Sequence, residues 1–306
     1  MNTPKKILLT GANGLLGQKL VALLLKNPAF ELLATSRGAQ RLSHKSLPYQ
    51  SLDLCDAQAV ATCLADFRPD YVIHTAAMTN VDACELDQAE CWQQNVEAVS
   101  HLVQACEAQK SFLLHLSTDF IFDGSAGPYR EEALPSPISY YGESKAAAEK
   151  IVQESNLEWA IARTVLVYGL AEDMSRSNII LWVKKSLEEG KKIQVVDDQW
   201  RTPTLAEDLA QGCMLIVEKH QKGIFNISGA EMMSPYDIAL ATADFFELDA
   251  SLISRADAST FSQPAKRPPK TGFIIEKAQK MLGYQPHSFR EGLAVLASQL
   301  SEHSLR

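Results

Sequence analysis

The sequence Ile7-Leu8-Leu9-Thr10-Gly11-Ala12-Asn13-Gly14-Leu15-Leu16-Gly17 joins a short apolar run to a helical pattern through three glycines. Gly11 allows a sharp turn at the end of a strand, and Gly14 removes a side chain where backbone N–H groups can approach a ligand. Gly17 lets the following helix pack closely on the strand. The free N–H groups at the start of that helix attract anions. A plain tight turn is the alternative, but the flanking strand and helix favour a turn that holds the pyrophosphate of a dinucleotide.

The first half of the chain repeats this alternation of apolar runs and helical patterns. Strands are expected at residues 6–10, 31–35, 71–75, 112–117 and 159–163, and helices at 15–26, 57–66, 84–108 and 141–154. Strands that are buried on both faces form continuous apolar runs, and helices between them imply right-handed crossovers. The pattern therefore predicts an α/β fold with a doubly wound parallel sheet, a Rossmann domain.

A change of rhythm after Gly169 indicates a second, smaller domain. We expect residues 1–168 to form the dinucleotide-binding Rossmann domain and residues 169–306 to be mainly a substrate-binding domain. Whether some strands of the second part return to the main sheet is left open. The helical patterns of this part are 178–189, 205–219, 235–246, 275–282 and 289–300, with a loop rich in proline and basic residues at 264–270.

The composition narrows the class of protein. The 306 residues carry a formal net charge of −8, which argues against a nucleic-acid-binding surface of clustered Lys and Arg. The first apolar run, residues 7–9, is too short for a signal peptide, and no segment approaches the length of a membrane span. Six cysteines without Cys-x-x-Cys pairing are typical of reduced thiols. We expect a cytoplasmic protein with no membrane partner, and the spacing of the histidines predicts no metal site.

A tyrosine and a lysine four residues apart form the candidate catalytic pair. Tyr141 and Lys145 would share one face of a helix, where the ammonium would stabilise the phenolate and lower its pKa. A tuned tyrosine can donate a proton to the alkoxide that forms when a carbonyl is reduced. Thr118 ends an apolar run and can hydrogen-bond the same oxygen. The three residues predict hydride transfer between a nicotinamide and a carbonyl carbon, with an ordinary surface pair on a helix as the alternative.

The end of the second expected strand predicts the choice of cofactor. An acidic residue there would bind a ribose 2′-hydroxyl, but the chain has Ser36-Arg37. Arg37 can bind a 2′-phosphate with Ser36 assisting, so the pattern favours NADP(H), with NAD(H) as the alternative. Asp53 would contact the adenine or, more simply, cap a helix. The expected cofactor contacts are Gly11, Asn13, Gly14, Leu15, Leu16, Gly17, Ser36, Arg37, Asp53, Leu54, Ala76, Ala77, Tyr141 and Lys145.

These residues resemble the extended short-chain dehydrogenase/reductase family and, within it, the dTDP-4-dehydrorhamnose reductases. The resemblance spans nearly the whole chain. The motifs that carry it are residues 10–17, 76–82 with Glu85, 95–96, 117–124, 141–145, 163–164, 167–169, 198–199, 203–204, 208–210, 267–268 and 282–284.

The resemblance implies a reaction, a triad and a set of substrate contacts. The reaction is reduction by NADPH of C4 in a nucleotide-linked 4-keto-6-deoxy sugar, as in dTDP-L-rhamnose synthesis. Thr118, Tyr141 and Lys145 would form the triad, and Lys145 would also hold the nicotinamide ribose. Similar dehydratases carry an acid where this chain has Phe120, which argues against dehydration. The implied substrate contacts are Thr79, Val81, Thr118, Asp119, Phe120 and Arg201.

Two positions depart from the family pattern. Leu166 stands where the reductases have a tryptophan near the sugar, so the sugar can differ. Arg201 places a charge near the expected substrate cleft, where it would meet a phosphate or a carboxylate. An ion pair of Arg201 with Asp197 or Asp198 is the alternative.

Two other functions stay open at this point. One is a nucleotide-sugar 4-epimerase, against which Arg37 argues because epimerases retain NAD through the cycle. The other is a non-catalytic regulator such as the β subunit of methionine adenosyltransferase, which belongs to the same branch. Homodimers are common in the family that the chain resembles, and a homodimer is left open here.

Overall fold

Seven parallel strands form the central sheet of the computed structural model, which describes residues 3–44, 46–172 and 178–304. The sequence prediction of a doubly wound parallel sheet is thereby confirmed. In their lateral order the strands are β10 (Gly223–Asn226), β6 (Trp159–Thr164), β5 (Phe112–Thr118), β4 (Tyr71–His74), β1 (Lys5–Thr10), β2 (Phe30–Ser36) and β3 (Tyr49–Ser51).

Alternate residues of β1 face the two layers of helices on the sheet. Ile7 and Leu9 belong to the apolar cluster beneath the first and eighth helices, whereas Leu8 belongs to the cluster on the opposite face. This period of two is the reason that a continuous apolar run can be buried on both sides. The helices of the two layers are α1 (Leu15–Leu24), α2 (Ala57–Phe67), α5 (Ala98–Gln109), α6 (Tyr140–Gln153) and α8 (Ala206–Glu218).

The single helix that the sequence predicts over residues 84–108 is wrong. The chain instead forms α3 (Val81–Leu86), α4 (Gln88–Trp92), a π-helical turn at Gln93–Glu97 and then α5. Asp87 breaks the helix because its backbone is not helical and its side chain accepts a hydrogen bond from the N–H of Glu90. The π-helical turn follows on that break and directs the buried Asn95 toward the chain after β4.

The second part of the chain is joined to the first through the central sheet. Its strand β10 pairs in parallel with β6, and its helix α8 packs on α1. The sequence pattern predicts neither β10 nor the two small sheets. The remaining elements are β7 (Val167–Tyr168), α7 (Ile179–Glu188), β8 (Ile193–Val196), β9 (Thr204–Leu205), α9 (Pro235–Phe245), β11 (Ile253–Ala256), α10 (Glu276–Leu282) and α11 (Phe289–Ser304), with β7 paired to β9 and β8 to β11.

All six cysteines are free thiols, and all but Cys55 are buried, as the sequence predicts. Within the described ranges, no helix combines the length and the apolar composition that a membrane crossing requires.

Candidate active site

The glycine turn between β1 and α1 leaves no room for side chains. Gly11 has a φ of +73°, and a Cβ there would lie 2.6 Å from Thr75 Oγ1 and 2.8 Å from the nitrogen of Ala76. A Cβ on Gly17 would overlap the carbonyl oxygen of Gly11. Gly14 is exposed at the start of α1 and meets only that same oxygen, at 3.2 Å. The N-cap Gly14 supplies no side-chain cap, so the N–H groups in the first turn of α1 have no partner in the helix, as a pyrophosphate site requires.

Asn13 ties the glycine turn to the end of β2. Its N–H donates to Ser36 Oγ at 3.0 Å, and its side chain bonds to Ala39 and Arg41. Arg37 is exposed and lines a pocket of about 580 Å³, together with Asp53, Cys55 and carboxylates that follow α3. Arg37 thus lies directly after the carboxyl end of β2, at the edge where open α/β sheets bind ligands.

Asp53 does not cap a helix, so that expectation is wrong. It accepts a hydrogen bond from the N–H of Cys55, whereas Asp56 caps α2 by accepting from the N–H of Ala59. Asp53 lines the pocket beside Arg37, and Leu54 next to it packs on the edge of the core. The cap lies three residues later because α2 begins only at Ala57.

Thr118, Tyr141 and Lys145 come together at the carboxyl end of β5. Thr118 ends that strand and lies close enough to the Tyr141 side chain to lower its pKa, and all three residues are buried. Ser139 caps α6 one residue before the helix begins. Gly142 then lets α6 press against the carbonyl oxygen of Phe120, where a Cβ would overlap. The helix is thereby fixed on the loop that follows Thr118.

Lys145 does not contact the Tyr141 hydroxyl directly. Its Nζ donates to the carbonyl oxygen of Leu116 at 2.7 Å and lies 3.2 Å from His115 Nε2. Burial lowers the pKa of Lys145 to about 8, against the opposing effects of Glu149 and Cys91. The pKa of Tyr141 is raised, chiefly because burial disfavours the phenolate. Burial therefore outweighs the lowering of the Tyr141 pKa that the sequence predicts.

Two neutral histidines line the inner wall of the site. His74 and His115 are fully buried, and their rings stack at 5.2 Å between centroids. Burial and the Lys145 charge lower the pKa of both, to about 3 for His74. A neutral His115 can accept a hydrogen bond from the Lys145 ammonium, whereas a protonated imidazole would repel that charge. The sequence interpretation of both as core or hydrogen-bonded residues agrees with these contacts.

Asp119 and Arg201 form a buried ion pair behind Thr118. Asp119 Oδ1 accepts a hydrogen bond from Thr118 Oγ1 at 3.1 Å, and its Oδ2 lies 3.5 Å from Arg201 Nε. Arg201 thus pairs with a carboxylate of this chain, that of Asp119. The alternative pairing is wrong, because Asp197 pairs with Arg255 and Asp198 accepts from the N–H of Ala258.

Two of the other expected substrate contacts, Phe120 and Val81, pack in one small apolar cluster with Tyr141. Phe120 packs edge-on to it at 5.8 Å between centroids. Val81, at the start of α3, packs on the same small cluster, and Thr79 is exposed just before the α3 cap. Leu166, which has a φ of +38°, is 38% exposed and lines an apolar pocket of about 300 Å³.

The structure adds residues that sequence reasoning missed. Asn95 binds the backbone of Met78 through both its amide atoms and also donates to Ser144 Oγ at 3.0 Å, beside Tyr141. Thr271 donates to Asp119 from 152 residues away along the chain. Asn95 lies in a motif of the resemblance, but Thr271 has no local sequence signal. Among the described residues, no group of His, Cys, Asp and Glu has the geometry of a metal site.

The parallel sheet, the glycine turn and the adjoining Tyr–Lys pair define a Rossmann-like α/β protein of the short-chain dehydrogenase/reductase type. The chain belongs to the RmlD substrate binding domain family, whose sequence profile matches residues 5–302.

Characterised relatives of two kinds are similar to this chain. The β subunit of methionine adenosyltransferase 2 from Bos taurus is 34% identical over 257 residues, which cover 82% of this chain and 75% of that protein. A dTDP-4-dehydrorhamnose reductase from Aggregatibacter actinomycetemcomitans is 29% identical over 300 residues, 94% of this chain and 97% of the relative. The crystal structure of dTDP-4-dehydrorhamnose reductase from Bacillus anthracis in complex with NADP shares the fold, with a TM-score of 0.83 and 24% identity over 97% of this chain and all of that one.

Proposed function

We propose that this protein is an NADPH-dependent reductase of a nucleotide-linked 4-keto-6-deoxy sugar. Hydride would be added to C4 of the sugar, and Tyr141 would donate the proton to the C4 oxygen. The observation that carries the proposal is that Thr118, at the end of β5, and Tyr141 and Lys145, one turn apart on α6, are all buried at the same edge of the sheet, with Lys145 bound to the β5 backbone. Open α/β sheets bind their ligands at this carboxyl edge, where a carbonyl can be reduced.

Each residue of the triad would have a distinct task. Tyr141 would donate its proton as the alkoxide forms, which is general acid catalysis. Thr118, whose one hydroxyl proton goes to Asp119, would hold the Tyr141 hydroxyl beside the carbonyl oxygen. Lys145 would place positive charge near the reacting oxygen and hold the ribose of the cofactor. A charge in a buried site acts more strongly than the same charge in water.

The residues of the glycine turn fit a nicotinamide dinucleotide, which when bound supplies the hydride. The backbone of residues 11–17 would hold the pyrophosphate at the N-terminus of α1. Ser36 and the exposed Arg37 would bind a ribose 2′-phosphate, which is the reason for preferring NADP(H) to NAD(H). The relative from Bacillus anthracis, with the same fold, was solved with NADP. Ala76 and Ala77 leave space for the cofactor beside the end of β4.

The proposed substrate class rests on the similarity to the reductase relatives and on the side chains that pack beside Tyr141. Thr79, Val81 and Phe120 would contact the sugar nucleotide in the cleft above the triad. Phe120 carries no acid, so elimination of water has no obvious catalyst at that position. Leu166 in place of a tryptophan leaves the identity of the sugar to experiment.

The test is NADPH absorbance with a panel of nucleotide-linked 4-keto-6-deoxy sugars, including dTDP-4-keto-6-deoxy-L-mannose made in situ. Tyr141→Phe is the matched variant, and its affinity for NADPH is measured by fluorescence. The proposal predicts oxidation by the wild type and at least about a hundredfold slower oxidation by a Tyr141→Phe variant that still binds NADPH. Absence of oxidation with every member of the panel, while NADPH binds, would reject the reductase proposal.

A regulatory subunit is the second candidate, because 34% identity connects the chain with the β subunit of methionine adenosyltransferase 2. A regulator would bind a methionine adenosyltransferase catalytic subunit and change its rate without turning over a sugar. Co-purification with that enzyme, together with an inactive wild type in the panel above, would favour it.

A 4-epimerase would instead interconvert sugar nucleotides with no added cofactor. Light scattering of the purified protein tests the homodimer common among relatives.

A further inference from the structure

A loop of the second part of the chain, residues 264–271, crosses from α3 to the floor of the catalytic site; we call it the strap. Its first contact is with Asp82 of α3, which accepts two hydrogen bonds from the Arg267 guanidinium and one from the N–H of Ala265. These bonds keep the pKa of Asp82 low, the hydrogen bonds from Arg267 contributing most. One end of the strap is thereby fixed beside Val81, in the apolar cluster with Tyr141.

The other end of the strap is held by Trp200 and Arg201. The N–H of Trp200 donates to Pro269, and the carbonyl of Trp200 accepts from the N–H of Thr271. Arg201 Nη2 donates to the carbonyl of Pro268 at 2.6 Å, and Nη1 donates to Trp200 and Pro269. Because Arg201 is only 5% exposed and its terminal nitrogens bond to backbone carbonyls, it is poorly placed to bind a phosphate.

The Asp119 carboxylate binds Thr271 and Arg201 at this end of the strap. Thr271 Oγ1 donates to Asp119 Oδ2, and Arg201 Nε lies 3.5 Å from the same oxygen. The other carboxylate oxygen accepts the hydroxyl proton of Thr118. A hydroxyl has one proton to give, so this bond fixes both the rotation of the Thr118 side chain and the direction of its lone pairs. Thr118 Oγ1 also accepts from the N–H of Phe120 at 3.3 Å, and the hydroxyl lies close enough to Tyr141 to lower the pKa of that phenol.

We propose that Thr271 and Arg201 are positioning residues that hold Asp119 in place and, through Asp119, orient the Thr118 hydroxyl toward Tyr141. Thr271 of the strap and Arg201, which binds the strap, would thus support the catalytic triad without touching the substrate. The catalytic consequence rests on the proposed reductase function, whereas the orientation of Thr118 does not.

A simple filling role is the competing explanation for Thr271. A threonine and a valine have nearly the same shape, so Thr271→Val preserves the packing and removes only the hydroxyl. Thr271→Ser keeps the hydroxyl and loses only a methyl group. The pair therefore separates a positioning hydroxyl from packing. Thr62→Val, on the exposed face of α2, controls for the exchange of any threonine for valine.

The experiment reads Thr118 directly and catalysis separately. Threonine γ-methyl groups are labelled with carbon-13, and the Thr118 signal is assigned by its loss in Thr118→Ser. In Thr271→Val the Thr118 methyl signal should shift or broaden, while Thr271→Ser and Thr62→Val should leave it as in the wild type. Arg201→Lys should also move it, because lysine cannot reach Pro268 and Asp119 together. It serves as the second variant should Thr271→Val fold poorly.

The kinetic arm uses the keto sugar that the wild type reduces. Thr271→Val should lower kcat by about ten- to a hundredfold, the loss expected when a reacting group is misplaced by a fraction of an ångström to one ångström. The Kd for NADPH should change less than about twofold, and Thr271→Ser should restore most of the rate. An unmoved Thr118 signal in Thr271→Val, or equal damage from serine and valine, overturns the proposal. Absence of turnover by the wild type rejects the reductase function alone, because the methyl signals still decide the positioning role.

Discussion

Replacing Lys145 with methionine should show how much the buried ammonium lowers the free energy of unfolding. Burial lowers the pKa of Lys145 from 10.5 to about 8. At about 1.4 kcal/mol per pKa unit, keeping this charge in the folded protein costs about 3 kcal/mol at neutral pH. A charge that costs this much stability fits a role toward the substrate or cofactor rather than in folding.

The sign of the pH dependence follows from where the proton is held. Between about pH 8 and pH 10.5 the folded protein has released the Lys145 proton, while the unfolded chain still carries it. Unfolding then takes up a proton, so the free energy of unfolding of the wild type rises with pH in this window. Lys145→Met lacks the group. Its stability relative to the wild type should therefore fall by about 2 kcal/mol between about pH 7 and pH 9.5.

Urea unfolding across this pH range, without added nucleotide, measures the effect. Lys150→Met is the matched control, because Lys150 lies on the same helix with a side chain 73% exposed. The hydrogen bonds of Lys145 to Leu116 and His115 set the constant part of the stability difference, not its slope. A difference between wild type and Lys145→Met that does not change with pH would refute the reasoning. So would an equal slope in Lys150→Met.

Three further predictions concern the cofactor site and the core. Gly17→Ala should destabilise the protein strongly, because its Cβ would overlap the Gly11 carbonyl oxygen. Gly14→Ala should keep the wild-type Tm but weaken NADPH binding at least about tenfold, because the new methyl group would stand between the backbone and the pyrophosphate. Equal losses of Tm in the two variants would contradict this. Arg37→Ala should raise the Kd for NADPH about ten- to a hundredfold and leave that for NADH nearly unchanged, as fluorescence titration can show, and a parallel loss for both cofactors would count against the 2′-phosphate role. Glu149→Gln should lower the free energy of unfolding in urea by about 3–5 kcal/mol, because Glu149 and Arg163 form a fully buried ion pair with two hydrogen bonds. The double variant Arg163→Met with Glu149→Leu should lose less stability than the sum of the two single changes.

The Rossmann core could be predicted because its signals are local. The alternation of apolar runs and helical patterns gave the positions of β1, β2, β4, β5 and β6, and the glycines gave the turn before α1. Strand β10 was missed because four residues of ordinary composition carry little periodicity. Asp87 escaped notice because one non-helical residue within a long helical pattern leaves that pattern almost unchanged.

The site could be predicted only as far as its residues lie in motifs. Tyr141 and Lys145 share a helix, and Thr118 follows a strand whose end must lie at the ligand-binding edge of the sheet. The pairing of Asp119 with Arg201 and Thr271 depends on how the second part of the chain folds back, over separations of 82 and 152 residues that no spacing rule reaches. Burial likewise decides the pKa of Tyr141, and the extent of burial is a property of the whole fold.

The measurement that tests the reductase proposal most directly follows the hydride itself. The protein is incubated with a nucleotide-linked 4-keto-6-deoxy sugar and with NADPH deuterated at C4 of the nicotinamide, on the transferred face and then on the other. We expect one deuterium at C4 of the product sugar from only one of the two cofactors, and almost no product with Tyr141→Phe. Product formation without deuterium from either cofactor, or undiminished product with Tyr141→Phe, would contradict the proposal.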